Sequence, residues 1–275
     1  MIVVTGATGN IGRPLTRALV RAGEQVTAVS RHAAEVPDGV RHQVADLADP
    51  ASLDLTGAKA LFLLLSGDLH AVGANPAELV GRAAAHGVGR VVLLSSLGVR
   101  TRPFGTTRIA MRGLEDVLRE SGVDWTVLRP GGFASNALWW AESVRAHRTV
   151  AAPFGDVGVP VVDPADIAEV AAACLLGDAN GVLELTGPEV ITPKEQTAAI
   201  AKALGEPVRF HELTRAEAKA GMEQLMPGEL ADDTLDILSS PTEAETQVSP
   251  DVRTVLGRAP RTFADWAERH VEAFR

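Results

Sequence analysis

The chain has 275 residues, enough for one large α/β domain, or a domain with a smaller lobe, to bury a well-formed core. Its formal charge of -9, from 26 Lys and Arg against 35 Asp and Glu, argues against a nucleic-acid partner, because phosphate backbones are held by clustered cations. The apolar run 60–65, like every other in the chain, is far shorter than the roughly 20 residues that span a bilayer, and the N-terminus enters a strand-like run without a basic leader; a soluble, cytoplasmic protein with no membrane partner is expected. Cys174 is the single cysteine, so no internal disulfide exists, and the seven histidines show no metal-ligand spacing, so no metal site is expected.

Residues 2–5 form the first expected strand and 11–22 the first helix, with "VVTGATGNIGRPL" running across the junction. Gly6 permits a tight turn, Gly9 lets the backbone approach a pyrophosphate, and Gly12 lets helix pack on strand. The helix start presents free N–H groups and a positive dipole end to a diphosphate, so Gly6, Thr8, Gly9, Asn10, Ile11 and Gly12 are expected to hold a dinucleotide. The second strand, 25–30, ends in Ser30-Arg31-His32, where an acid would bond a free ribose 2'-hydroxyl. Arg31 can instead pair bidentately with a 2'-phosphate, with Ser30 donating a hydrogen bond, and this favours NADP over NAD.

The third strand, 40–45, leads into Asp46 and Leu47, where an adenine ring is expected. The fourth, 59–66, ends in Leu65 and Ser66, and the fifth, 90–96, in Ser95 and Ser96; these continue the cofactor's line along the carboxyl edge of the sheet. Further strands are expected at 124–129 and 182–186. Helices at 11–22, 76–86 and 107–121 each close on a glycine, Gly23, Gly87 and Gly122. The alternation predicts an α/β fold: a doubly wound, parallel Rossmann-type sheet over residues 1–130, with returning segments near 148–190.

Residues 131–275 are expected to form mainly a smaller, mostly helical C-terminal substrate lobe, with a ligand cleft between the lobes. Asp163-Pro164-Ala165-Asp166 and Thr192-Pro193-Lys194-Glu195 both read as helix starts, and further helices are expected near 215–224, 229–238 and 263–273. Phe104, Phe133, Trp139, Trp140 and Phe154 are candidate walls for a flat conjugated substrate, with ordinary core packing as the equal alternative. Ser95, Ser96 and Thr107 are candidate hydrogen-bond donors to a substrate oxygen, against the alternative of local caps, and His147 is a candidate proton source.

Thr5-Gly6-Ala7-Thr8-Gly9-Asn10-Ile11-Gly12, Ser95-Ser96, "SGVDWTVLRPGGFASN", "LTGPEVIT" and "LGRAPRTFADWAERH" together resemble the atypical short-chain dehydrogenase/reductases of the NmrA-like branch, close to its NAD(P)H:quinone reductase and azoreductase-like members. The similarity runs from residue 2 to about 274. It implies that Arg129, Pro130, Gly131 and Phe133 border the nicotinamide, with Asn136 in the following helix. In the wider superfamily a Tyr-x-x-x-Lys pair handles the proton, with an acid four residues after the lysine. Aligning that acid with Glu115 places Met111 at the lysine position, within the substrate pocket, and Thr107 at the tyrosine position. The chain contains no tyrosine at all. A threonine hydroxyl is a far poorer acid than a phenol, so the expected reaction is NADPH-dependent hydride transfer to an activated conjugated small molecule, such as a quinone, an enone or an aromatic polyketide-like compound. The alternatives are an NADP-binding sensor without turnover and a redox-neutral isomerase, dehydratase or cyclase. Monomer and homodimer are both open.

Overall fold

Runs of β-branched and leucine side chains become strands wherever both faces can be covered, and most of them here are separated by helices. The computed structural model describes residues 1–65, 76–104, 106–224 and 226–275. Seven strands build one sheet: β1 (Ile2–Val4), β2 (Val26–Ser30), β3 (Arg41–Val44), β4 (Ala60–Leu64), β5 (Arg90–Leu94), β6 (Asp124–Pro130) and β8 (Gly181–Leu185), in the order β3-β2-β1-β4-β5-β6-β8. Every pairing is parallel, and β1 lies between β2, through Ile2 opposite Val26, and β4, through Ile2 opposite Ala60. The strand order therefore reverses at β1, the position in such sheets where ligands enter at the carboxyl ends.

The chain divides into two compact units. The first comprises Met1–Pro130, Pro164–Leu185 and Asp251–Arg258, and holds the sheet with α1 (Gly12–Arg21), α2 (Pro76–Ala85), α3 (Gly98–Thr101), α4 (Thr106–Glu120), α6 (Pro164–Leu176) and α11 (Asp251–Leu256). One face of the sheet buries Val3, Val29, Leu61, Leu63, Val91, Leu93 and Val127 against Leu79 and Val80 of α2 and Leu114 and Leu118 of α4. Each such side chain contributes roughly 1.5–3 kcal/mol relative to exposure. On α4 the buried positions 114, 115 and 118 share one face, so the helical period aims Glu115 inward together with two leucines. The glycine stops close their helices in left-handed backbone, with φ of 82° at Gly23, 74° at Gly87 and 75° at Gly122.

The second unit comprises Gly131–Asp163, Thr186–Pro250 and Ala259–Arg275. It holds α5 (Ala141–His147), α7 (Pro193–Leu204), α8 (Arg215–Met222), α9 (Gly228–Ser239), α10 (Glu243–Thr246) and α12 (Phe263–Arg269), and also two strands that the sequence pattern does not announce, β7 (Thr149–Ala152) and β9 (Arg209–Glu212), which pair in parallel. Its core gathers Val144, Val150, Ile200, Phe263, Trp266 and Phe274, with the Trp266 ring stacked on His270 at 4.6 Å between centroids. Reciprocal capping boxes open α7 (Thr192 with Glu195), α8 (Thr214 with Glu217), α10 (Thr242 with Glu245) and α12 (Thr262 with Asp265). Asp163, expected to cap α6, is buried and accepts a hydrogen bond from Arg269. Among the described residues no helix is long and apolar enough to cross a membrane.

Candidate functional site

The loop from β1 to α1 is fixed by β4 and β2 before any ligand is considered. Thr5 Oγ1 donates toward the carbonyls of Phe62 (3.1 Å) and Leu64 (3.2 Å) and accepts from Leu64 N (2.8 Å), while Ala7 N donates to Val29 O (3.1 Å). Gly6 turns with φ of 61°, a region that L side chains avoid. A Cβ on Gly12 would lie 2.2 Å from Gly6 O and 2.6 Å from Ala7 Cα, so the start of α1 presses against the loop itself. That refines the expected contact, since Gly12 seats helix on loop more than helix on strand. The residue before α1, Ile11, supplies no side-chain cap; Arg13 N donates instead to the loop carbonyl of Gly9 (3.1 Å).

A cavity of about 250 Å³ opens over this loop and brings together Gly6, Thr8, Gly9, Asn10, Ile11, Ser30, Arg31 and Leu47 with Thr5, Val29, Ala45 and Leu64. Gly12 stands behind it, and Asp46 is outside the lining. The exposed Asp46 carboxylate accepts from Ala48 N (3.0 Å), a local turn of the kind aspartate forms at strand ends. Ser30 Oγ donates to His32 O (2.8 Å), which leaves its oxygen to meet His42 Nε2 at 2.8 Å. Leu65 is buried at the end of β4, and Ser66 lies outside the described residues.

At the ends of β5 and β6 a buried charge network occupies the position where the sequence suggests hydroxyl donors. Ser95 Oγ donates to Glu115 Oε1 (2.6 Å), and Arg129 reaches the same carboxylate through Nε (3.0 Å) and Nη2 (2.5 Å). Arg119 adds a bond to Oε2 at 2.7 Å. Burial works to raise the Glu115 pKa, but the hydrogen bonds from Arg129 and Ser95, the charge of Arg129 and the bond from Arg119 outweigh it and hold the carboxyl below its ordinary value. Ser95 is therefore a buried donor to protein, and Arg129 is tied to α4. Ser96 Oγ accepts from Gly98 N at 3.1 Å, which is the local-cap geometry. Pro130 closes β6 and accepts from Leu97 N through its carbonyl (2.9 Å). Met111 is half-buried on α4, Phe104 is 90% exposed, and the side chain of Thr107 lies outside the described part.

In the second unit the segment after Gly131 is clamped to Val162: Val162 N donates to Gly132 O (2.8 Å) and Ala134 N to Val162 O (2.9 Å), with Phe133 half-buried between them. Asn136 is exposed, Trp139 is 51% exposed, and Trp140 packs on the unit's core, so the two tryptophans do face different surroundings. His147 is exposed at the end of α5. Phe154, half-buried, is held at φ of 53°, a left-handed conformation that costs a bulky residue roughly 1–3 kcal/mol and so needs support from its surroundings. Glu115 is the site residue that sequence reading underused: it entered only as an alignment marker, although an acid between two buried leucines on an amphipathic helix signals a buried, paired charge.

Residues 6–178 match the NAD(P)H-binding protein family. A (4-alkanoyl-5-oxo-2,5-dihydrofuran-3-yl)methyl phosphate reductase from Streptomyces griseus subsp. griseus is 37% identical, covering 100% of this chain and 99% of that protein. An NAD(P)H azoreductase from Xenophilus azovorans is 32% identical over the same shares, 100% and 99%. The crystal structure of an NADPH-dependent quinone oxidoreductase from Escherichia coli, complexed with NADPH, superposes with a TM-score of 0.80 at 26% identity, covering 98% of this chain and 99% of that one. With its glycine loop at the strand reversal and relatives matched along their whole length, the chain belongs to the NAD(P)H-binding family and, within it, to the reductases of the atypical short-chain dehydrogenase/reductase type.

Proposed function

We propose that the protein is an NADPH-dependent reductase of activated, conjugated acceptors, such as quinones, enones or aromatic polyketide-like compounds, and that it works without a tyrosine–lysine proton relay. The observation that carries this reading is the hydrogen bond from Ser95 to Glu115: in a chain with no tyrosine, the Ser95 hydroxyl at the end of β5 spends its hydrogen bond on a protein carboxylate. An ordinary ketone that takes up hydride becomes an alkoxide and needs an acid beside it. A quinone or enone becomes a delocalised anion that water can protonate, so orientation suffices.

The loop fits a dinucleotide. The uncapped start of α1, the left-handed Gly6 and the side-chain-free Gly9 leave backbone amides and open space for a diphosphate, and the adjoining cavity has apolar walls at Val29, Ala45 and Leu47 for an adenine. When bound, the nicotinamide supplies hydride. Arg31, lining that cavity at the end of β2, would hold a 2'-phosphate and gives the preference for NADP. The Ser95–Glu115–Arg129 network fixes the ends of β5 and β6, and with them the start of the segment through Gly131 and Phe133 that the resemblance puts beside the nicotinamide. Asn136, Trp139 and Phe154 of the second unit are proposed to orient the acceptor, with water as the proton source.

The relatives support an activated acceptor: a quinone, an azo compound and a dihydrofuranone bearing an alkanoyl group are all electron-poor conjugated systems. Incubation with NADPH and a panel of quinones, enones and simple ketones tests the reading. Oxidation of NADPH above blank with quinones or enones, and none with simple ketones, is expected. Tight NADPH binding with silence across the panel would instead make the protein a sensor. For the cofactor, Arg31→Ala is expected to weaken NADP roughly tenfold or more while leaving NAD unchanged, as loss of a charge-assisted pair does.

A further inference from the structure

Just beyond the carboxyl end of β5, in the first unit, the chain from Leu97 to Leu114 holds four arginines and no acid. Arg100 is met by Glu184, through Nε at 2.5 Å and Nη2 at 2.8 Å, whereas Arg112 donates to a neutral carbonyl, Val99 O, at 2.7 Å. Glu115, the next acid along α4, already serves Ser95, Arg119 and Arg129. Arg108 follows Thr107, the residue at the tyrosine position, and folds back from α4 over Gly98. A Cβ on Gly98 would lie 2.8 Å from Arg108 Nε and 3.3 Å from Ser96 Oγ, so the two half-buried side chains meet over backbone that carries no side chain of its own. The Ser96 oxygen accepts from Gly98 N at 3.1 Å, and among the described residues its hydroxyl donates to no group, which leaves that proton available.

We propose that Arg108 stabilises the negative charge that develops on the acceptor oxygen during hydride transfer, with the Ser96 hydroxyl as a second donor to the same oxygen. This rests on the reading that NADPH reduces a conjugated acceptor at the carboxyl ends of β5 and β6. An enone that takes the hydride gains two electrons: a C–H bond forms at its β carbon, the electron pair of its C=C bond shifts toward the carbonyl oxygen, and NADPH leaves as NADP⁺. Water then protonates the enolate. A guanidinium keeps its charge at every accessible pH, so Arg108 lowers the energy of that anion and leaves the proton to water. It supplies what neither Thr107 nor Met111 can, a fixed positive charge aimed where an oxyanion forms, the arrangement that contributes most to reactions of this kind. Arg108 and Arg112 also stand four residues apart on one helix, a like-charge pair that a neighbouring anion relieves.

Single-turnover oxidation of NADPH by a quinone or an enone tests this in the wild-type protein, Arg108→Met, Arg108→Lys and Gly98→Ala, with thermal melts and NADPH titrations on each. The hydride-transfer rate is expected to fall on the order of a hundredfold in Arg108→Met and to recover about tenfold of that in Arg108→Lys. Gly98→Ala, whose methyl group displaces the guanidinium, is expected to lose several-fold. NADPH affinity is expected to stay within about twofold throughout. A second measurement needs no turnover: 4-nitrophenol is titrated calorimetrically, with NADP⁺ present, on either side of its ionisation. The wild-type protein is expected to bind the phenolate roughly tenfold more tightly than the neutral phenol, and Arg108→Met to lose that preference. A rate in Arg108→Met within about threefold of wild type, or a phenolate preference that survives the substitution, would overturn the proposal. Equal losses of rate, NADPH affinity and melting temperature would also overturn it, by making Arg108 a support of the fold. If the wild-type protein oxidises no NADPH with any acceptor, the reductase reading fails, and the phenolate preference alone decides on Arg108.

Discussion

Ser95 Oγ lies 2.6 Å from Glu115 Oε1 and donates to it, joining the carboxyl end of β5 to the buried face of α4. A hydroxyl used in this way serves position, not proton transfer to substrate. Ser95→Ala is accordingly expected to cost about 1 kcal/mol of stability, the usual worth of one such bond, and to leave kcat for a quinone within a few-fold of wild type. Urea melts and steady-state kinetics check both numbers; a loss of several hundredfold in kcat with an unchanged KM would make Ser95 a catalytic donor.

Glu115 has a depressed pKa in the folded protein, so the carboxylate stabilises the fold fully above the ordinary glutamate range and loses that contribution as pH falls through the folded value. Replacing it with glutamine leaves Arg129 without its charge partner. Glu115→Gln is expected to remove about 3 kcal/mol at neutral pH and to flatten the acid side of the stability curve. Denaturant melts across the acid range compare the two slopes, and parallel curves would contradict the linkage.

Two glycine substitutions should act in opposite directions. Gly12→Ala places a methyl group 2.2 Å from Gly6 O, so the loop and the start of α1 must separate, at a cost of about 3 kcal/mol and with loss of dinucleotide binding. Gly81→Ala, exposed in α2 with open space around it, is expected to stabilise by about 0.5–1 kcal/mol through helix propensity. Paired thermal melts give the sign of each.

Cys174 is fully buried in α6, and burial pushes its thiol up to about 11 against the smaller opposing effects of Thr126 and Arg90. At mildly alkaline pH roughly one thiol in a thousand is ionised, so a thiol reagent should fail to label the native protein and react quickly once denaturant is added. Rapid labelling of the native protein would show that α6 opens locally.

The inner strands of the large sheet are legible in the sequence because parallel strands buried on both faces leave unbroken apolar runs, as in "VVLL" before Ser95, whereas the edge strands β3 and β8, partly exposed, are read from their place in the alternation. β7 and β9 are not. Each has four residues, Arg209, His211 and Glu212 of β9 are exposed, and the partners Thr149 and Arg209 lie far apart in the chain, so no local pattern signals the pairing. The return of Asp251–Arg258 to the first unit is equally silent, since it depends on contacts such as the hydrogen bond from Glu184 N to Asp251 Oδ2. The glycine motif is readable because steric necessity at Gly6 and Gly12 is local. The network at Ser95 is hard to read because a serine, a glutamate and two arginines carry no spacing rule.

The capping boxes of the second unit have a consequence for where an anion can settle. At Thr192, Thr214, Thr242 and Thr262 the leading amides of a helix already face a carboxylate or hydroxyl of their own chain, four positive poles neutralised from within. α1 begins with no such neutralisation and carries Arg13 and Arg17 in its first two turns. The positive pole of α1 and its two arginines thus leave a local potential beside the glycine loop of the sign that favours an anion.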